Sequence, residues 1–245
     1  MEHGKERRPS AARLSTAVRP SIVAIASLAL GLALGTVLND FKGGAPPIDY
    51  AGIRNIVINA HLREAPPGFV LVAGDSHAEY LAPWISACDR EVVNAGVSGI
   101  RAERFQAMGS SFAPKSKASA AVLLMGTNNL FRAADPMAPA RIGEFRTSLL
   151  ATVASLQAIA AKVIVTALPP LLSFRQEFQF EGVEVYSGVA REVCEVSGCM
   201  YRDPFAAIRR LSSEEDKLAQ QPDGIHLAAY REVARSLSAD ICAGE

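Results

Sequence analysis

The feature that most restricts how this chain can fold is a regular alternation, from residue 69 onward, of short apolar runs with longer amphipathic stretches. The runs at 69–73 (FVLVA), 91–94 (EVVN), 120–125 (AAVLLM) and 162–167 (KVIVTA), with a weaker one at 199–202 (CMYR), have the length and composition of strands buried on both faces. Between them, 77–87, 101–108, 139–161, 183–197 and 204–211 read as helices, and a last helix is expected from about 227 to 240. Parallel strands cannot be joined by tight turns, so each intervening helix serves as a crossover. The expectation is a three-layer α/β domain over 68–245, with a flavodoxin-like, doubly wound parallel sheet. Ligands of such sheets bind beyond the carboxyl ends of the strands.

Ahead of this domain the pattern changes. Lys5, Arg7, Arg8, Arg13 and Arg19 make residues 1–20 a basic segment, and an uncharged run of 18 residues follows from Ser21 to Leu38. That length reaches the lower limit for a bilayer-spanning helix, and the flanking positive charge keeps its N-terminal side cytoplasmic. The expected arrangement is a single membrane anchor at 21–38 with the domain outside the cytoplasm, in the periplasm. Cleavage of a signal peptide near Ala33-Leu34-Gly35, releasing a secreted protein, and a buried soluble helix are the competing readings. Ser27, Gly31 and Gly35 fall every four residues and form a small-residue face on which two copies could pair, or simply the ordinary composition of such a helix. Residues 39–67 read as a linker rich in Gly and Pro, with a short helix around 53–62 closed by Pro66-Pro67-Gly68.

Charge excludes one class of partner. The 25 basic and 25 acidic residues cancel, and no basic stripe with interleaved aromatics follows the first twenty residues, so nucleic acid is not an expected ligand. The four cysteines lack the paired spacing of a zinc site; Cys194 and Cys199 lie close enough to bridge, while Cys88 and Cys242 stand alone. Their three pairings, and free thiols, remain open.

Four short segments fall at the predicted carboxyl ends of strands or in loops on that edge. Gly74-Asp75-Ser76-His77 places a serine at the start of a helix, where backbone N–H groups and the dipole favour negative charge; the same residues also serve as an ordinary helix cap. Asn94-Ala95-Gly96-Val97-Ser98-Gly99 and Gly126-Thr127-Asn128-Asn129 are turns in which glycine admits close approach and an asparagine amide can donate to developing charge. Each is also a turn that any doubly wound protein needs. Asp223-Gly224-Ile225-His226 sets a carboxylate three residues before an imidazole, close enough for one turn to hold both. Of the four histidines, His3 precedes the apolar run, His61 precedes the domain, and His77 is adjacent to Ser76 and so does not face it. His226 remains as the candidate base.

GDSH, NAGVSG, GTNN and DGIH together resemble the four blocks of the SGNH (GDSL-like) hydrolase superfamily, over residues 69 to about 240. The resemblance implies Ser76 as nucleophile, Asp223 and His226 as its triad partners, and an oxyanion hole from the backbone amides of Ser76 and Gly99 and the side chain of Asn128. It departs from the pattern in lacking the Leu or Ile that often follows GDS. A G-x-S-x-G nucleophile elbow is absent, which disfavours an α/β-hydrolase arrangement. The GDSHA opening behind an apolar segment is also similar to periplasmic SGNH domains that handle acyl groups of cell-surface sugars. What the resemblance implies is a serine esterase for small acyl esters, acetyl foremost, on a small molecule or a polysaccharide, needing no cofactor and no metal. The alternatives are an O-acyltransferase using the same residues and a non-catalytic carbohydrate-binding module.

Overall fold

The computed structural model describes residues 49–243. The basic segment, the apolar run at 21–38 and the Ser27/Gly31/Gly35 face lie outside the described residues. Among those described, no helix is long and apolar enough to cross a membrane.

Five strands, β1 (Val70–Gly74), β2 (Val92–Gly96), β3 (Ala120–Leu124), β4 (Val163–Thr166) and β5 (Met200–Arg202), pair in parallel in the order β2-β1-β3-β4-β5. Each lies within two residues of the run that foretold it. Residues alternate between the two faces, as the pleat requires. Leu71, Ala73, Val93, Leu123 and Val165 face one core, and Val70, Val72, Val122, Leu124 and Ile164 face the other.

The first core is covered by α1 (Tyr50–Glu64), α3 (Ala102–Gly109), α4 (Pro139–Ile159) and α5 (Gly182–Ser197), which contribute Ile58, Phe105, Phe145 and Tyr186. The second is covered by α2 (Ser76–Leu81) and α8 (Arg231–Cys242), through Ala78, Leu81, Val233 and Leu237. Short helices α6 (Ala206–Arg209) and α7 (Glu214–Gln220) lie between β5 and α8 in the chain. The result is a sheet between two helical layers.

Four differences from the sequence reading have local causes. The short helix expected around 53–62 is present and longer, α1 running from Tyr50 to Glu64, capped by Asp49 and anchored by Ile58 and Leu62, both fully buried. The helix expected over 77–87 stops at Leu81 and tightens into a 3₁₀ turn, Ala82–Trp84, where Pro83 lacks the N–H that would continue it. The last helix starts at Arg231 rather than 227, because Ala228 N–H is drawn back to Gln220 O at 2.8 Å. Helix α7 has no counterpart among the expected elements. It carries no buried residue and hence no apolar stripe, and is held by its Ser213 cap to Asp216 N–H at 3.0 Å.

All four cysteines are paired. Cys194–Cys199 closes the α5-to-β5 corner, and Cys88–Cys242 links the segment before β2 to the end of α8 across 154 positions.

Candidate active site

The site begins where β1 stops. Gly74 has φ +137°, and a Cβ there would lie 1.7 Å from Leu124 O, so only glycine lets the chain turn against β3. Asp75 caps α2. One of its oxygens accepts from His77 N–H at 3.0 Å and the other from Thr127 N–H at 3.2 Å, tying the ends of β1 and β3 together. These bonds favour its charge, but burial dominates and pushes the carboxyl up to about 6. Ser76 follows as the first residue of α2, so its N–H has no partner within the helix. The side chain is buried, and its Oγ lies 2.9 Å from His226 Nε2.

The partners come from one turn, as the Asp-x-x-His spacing anticipates. Asp223 Oδ1 accepts from Ile225 N–H at 2.9 Å and His226 N–H at 2.7 Å, while Oδ2 lies 2.7 Å from His226 Nδ1. With Nδ1 donating to a carboxylate, Nε2 is left as the acceptor that faces the serine hydroxyl. Burial pushes the Asp223 carboxyl up, but the hydrogen bonds from His226 and Ile225 outweigh it and hold the group below the usual carboxylate range.

That turn hangs from the rest of the molecule by a few bonds. Arg175 Nη1 donates to Asp223 O at 3.1 Å, Leu172 N–H to Gly224 O at 3.0 Å, and Gln221 Nε2 to Ile225 O at 2.9 Å and Pro170 O at 2.7 Å. His77 packs under it, its ring centroid 5.3 Å from that of His226 and its Nδ1 3.0 Å from the Tyr230 hydroxyl. Burial, aided by the charge of His226, holds His77 down to about 3. It is a neutral packing group that does not reach Ser76 Oγ with a hydrogen bond.

The other expected site residues lie around one cavity of about 190 Å³, lined by Ser76, Gly99, Asn128 and His226 together with Tyr80, Phe131 and Phe178. Asn128 Nδ2 donates to Ile100 O at 3.1 Å. An amide nitrogen carries two N–H groups, and the second makes no hydrogen bond among the described residues. Nor does Gly99 N–H. The second asparagine of the GTNN segment supports the scaffold instead, since Asn129 Oδ1 accepts from Ala102 N–H at 2.9 Å and so holds the start of α3.

Sequence reasoning missed the aromatic wall. Phe131 and Phe178 stack at 4.3 Å between centroids and are brought together by a single antiparallel bridge between two loops. Tyr80 lies T-shaped against His226 at 5.1 Å. Phe131 and Phe178 sit in irregular segments that carry no periodicity, and Tyr80 in a helix of only six residues, so nothing in the sequence marked them.

A parallel sheet flanked by helices, with Ser, His and Asp in one hydrogen-bonded line at its carboxyl edge beside a cavity with unused N–H groups, places the protein in the α/β structural class with a hydrolase-like site. The comparisons agree with that class and narrow it. The chain belongs to the GDSL-like lipase/acylhydrolase family, whose model matches residues 68–230. Three of the solved structures that share the fold illustrate the likeness. An acetylxylan esterase from Geobacillus stearothermophilus, Axe2, is 16% identical at a TM-score of 0.56, over 74% of this chain and 97% of that one. A lipase/acylhydrolase from Enterococcus faecalis is 20% identical at 0.56, over 72% and 95%. A Streptococcus pneumonia protein named for platelet activating factor is 16% identical at 0.64, over 88% and 99%. No curated protein matches in sequence.

Proposed function

We propose that this protein is a serine esterase that cleaves small acyl esters, acetyl foremost, through an acyl-enzyme intermediate. The observation that carries the reading is the line from Ser76 Oγ to His226 Nε2 (2.9 Å) and from His226 Nδ1 to Asp223 Oδ2 (2.7 Å), opening on the cavity that Gly99 and Asn128 line. Ser76 Oγ attacks the ester carbonyl carbon while His226 Nε2 takes its proton, and Asp223 stabilises the imidazolium. The N–H groups of Ser76 and Gly99 and the free N–H of Asn128 hold the tetrahedral oxyanion. His226 then returns the proton to the departing alcohol oxygen. Water, deprotonated by the same imidazole, cleaves the acyl-serine and restores the hydroxyl.

The cavity is smaller than the roughly 300–1,000 Å³ usual for larger ligands, and that size suits a short acyl group better than a long chain, with Tyr80, Phe131, Phe178 and Ile225 as the apolar part of its lining. The alcohol is placed outside it, where an acetylated sugar fits the reading that the Axe2 likeness suggests.

The test is turnover of acetyl, butyryl and long-chain esters and of acetylated sugars by the full-length protein, with Ser76→Ala beside it. Acetyl esters are expected as the best substrates, and Ser76→Ala should lower kcat by roughly a million-fold, as loss of the nucleophile does in related triads, with the melting temperature unmoved. Near-normal activity in Ser76→Ala would sink the assignment.

The domain is proposed to sit outside the cytoplasm, attached through 21–38. The basic residues before that run support this, and so do the two disulfides, which persist in oxidising compartments. A C-terminal alkaline phosphatase fusion is expected to be active; activity only from a cytoplasmic reporter fused at the same point would contradict it.

A further inference from the structure

Helix α1 precedes the stretch that the family model matches, yet its first turns reach the catalytic edge of the sheet. The Tyr50 hydroxyl donates to Glu79 Oε1. Glu79 Oε2 in turn accepts from both Ser98 N–H and the Ser98 hydroxyl, each at 2.7 Å. Arg54, one turn along α1, donates from Nε and Nη2 to Gly96 O at 3.0 and 2.7 Å, and from Nη2 to Asn94 O at 3.0 Å. Asn94 closes the set by donating to Glu79 O at 2.9 Å. Gly96 completes it sterically, because a Cβ there would lie 2.1 Å from Glu79 N, so α2 rests directly on β2.

The bonds to Asn94, Gly96 and Ser98 all fall within five residues of Gly99. That matters because the Gly99 peptide is carried by the turn that Ile100 N–H closes onto Val97 O at 3.2 Å, with open space where a Cβ would stand. The direction of its N–H follows that of the turn, and on the Ser98 side the grip on the turn is a carboxylate bound to two donors of one residue, a charge-assisted arrangement. Burial, then the bond to Glu79, pushes the Tyr50 hydroxyl up to about 12, so it stays a donor throughout the physiological range.

We infer that Glu79, backed by Tyr50 and Arg54 of α1, is a positioning residue that aims the Gly99 N–H at the oxyanion. This rests on the esterase reading above. It makes α1 part of the catalytic apparatus rather than a spacer. A preorganised donor contributes to the transition state only while its direction is fixed in advance, and misplacement by about 1 Å can cost on the order of 100-fold.

The experiment compares Glu79→Ala, Glu79→Gln, Tyr50→Phe and Ser76→Ala in the full-length protein, with p-nitrophenyl acetate kinetics, active-site titration by a fluorophosphonate, and thermal melting. Glu79→Ala should lower kcat about 10- to 100-fold with KM within about twofold, and Glu79→Gln, which keeps an acceptor for Ser98, should recover most of that loss. Tyr50→Phe removes one hydroxyl from a half-exposed ring and should lower kcat by a few-fold with melting unmoved; it decides the matter if Glu79→Ala does not fold. If Ser76→Ala is inactive while Glu79→Ala and Tyr50→Phe keep wild-type kcat per titrated site, or change only KM, this inference fails and the esterase reading stands. If Ser76→Ala retains turnover, the esterase reading fails and takes this inference with it.

Discussion

Ser76 is fixed by the sheet, whereas Asp223 and His226 are fixed by a turn that only touches it. On the serine side, Gly74, Asp75 and Ser76 are clamped between β1 and β3, with the Asp75 carboxylate bonded to backbone on both sides and Ser76 only 5% exposed. On the other side, Asp223 satisfies itself within its own turn, through three bonds to residues 225 and 226, and the Asp223 side chain is 47% exposed. The contrast separates two costs. Changes at Gly74 or Asp75, which hold the serine, reach the core and so alter folding as well as chemistry, while changes at Asp223 alter alignment and tautomer with little burial at stake.

Among the groups that assist Ser76, the largest expected effect lies in the turn. Asp223→Asn keeps shape and most of the backbone bonds but presents an amide to Nδ1, favouring the wrong imidazole tautomer, so kcat should fall by up to about 10⁴-fold while the melting temperature stays near that of the parent. A melting temperature that falls as steeply as kcat would break the contrast. Next comes the sheet side of the cavity. Asn128→Ala should lower kcat and kcat/KM together by about 100- to 1,000-fold, and should also lower the melting temperature, because the bond to buried Ile100 O is lost with it. Preserved kcat with a large fall in melting temperature would make Asn128 a turn residue and nothing more.

The smallest effect sharpens the comparison through pH. Burial holds the Asp75 carboxyl at about 6 in the fold, above its unfolded value of 3.8, so the folded chain keeps a proton that the unfolded chain has released. Its contribution is full below about pH 4 and is lost as pH rises through 6, a change on the order of 3 kcal/mol at 1.36 kcal/mol per pH unit. His77 works the other way: held at about 3 against 6.5, it costs stability as pH falls through that interval. The two slopes oppose each other near pH 4 to 6, so the wild type alone hides both. Denaturant unfolding of wild type and Asp75→Asn, measured at pH 4 and pH 7, isolates the carboxyl. The wild type should lose stability relative to the variant on going to pH 7, and an unchanged difference would show that Asp75 titrates normally. No comparable slope is expected from the turn, where Asp223 is held low and its stabilising contribution is lost only under more acid conditions.

The strands were legible because burial on both faces leaves no polar residue to break the run, as in FVLVA and AAVLLM. Helix α7 was not, since EEDKLAQ packs no side chain into a core and so carries no period. The extent of α1 was obscured for the opposite reason: Ile53, Ile56 and Val57 stay exposed while Ile58 and Leu62 are buried, so apolar residues fall all around the helix and no single face stands out. Of the site, the Asp223–His226 pair was readable from its spacing, because three residues of backbone suffice to close it. Glu79, Arg54 and Tyr50 were not readable, since each looks like an ordinary polar residue of an amphipathic segment.

What the sequence by itself determined is therefore what a single turn or a single strand can encode: the alternation that makes a parallel sheet, the glycines at its edge, and the one-turn contact of carboxylate with imidazole. Only the tertiary structure decided that Ser76 meets His226 across 150 positions, that Phe131 stacks on Phe178, that Cys88 finds Cys242, and that α1 meets Glu79, which in turn holds Ser98. The physical reason is the strand order. Local geometry follows from backbone dihedrals a few residues apart, but which strand ends become neighbours depends on how the helices pack to cover both faces of the sheet, and every long-range contact of the site inherits its geometry from that choice.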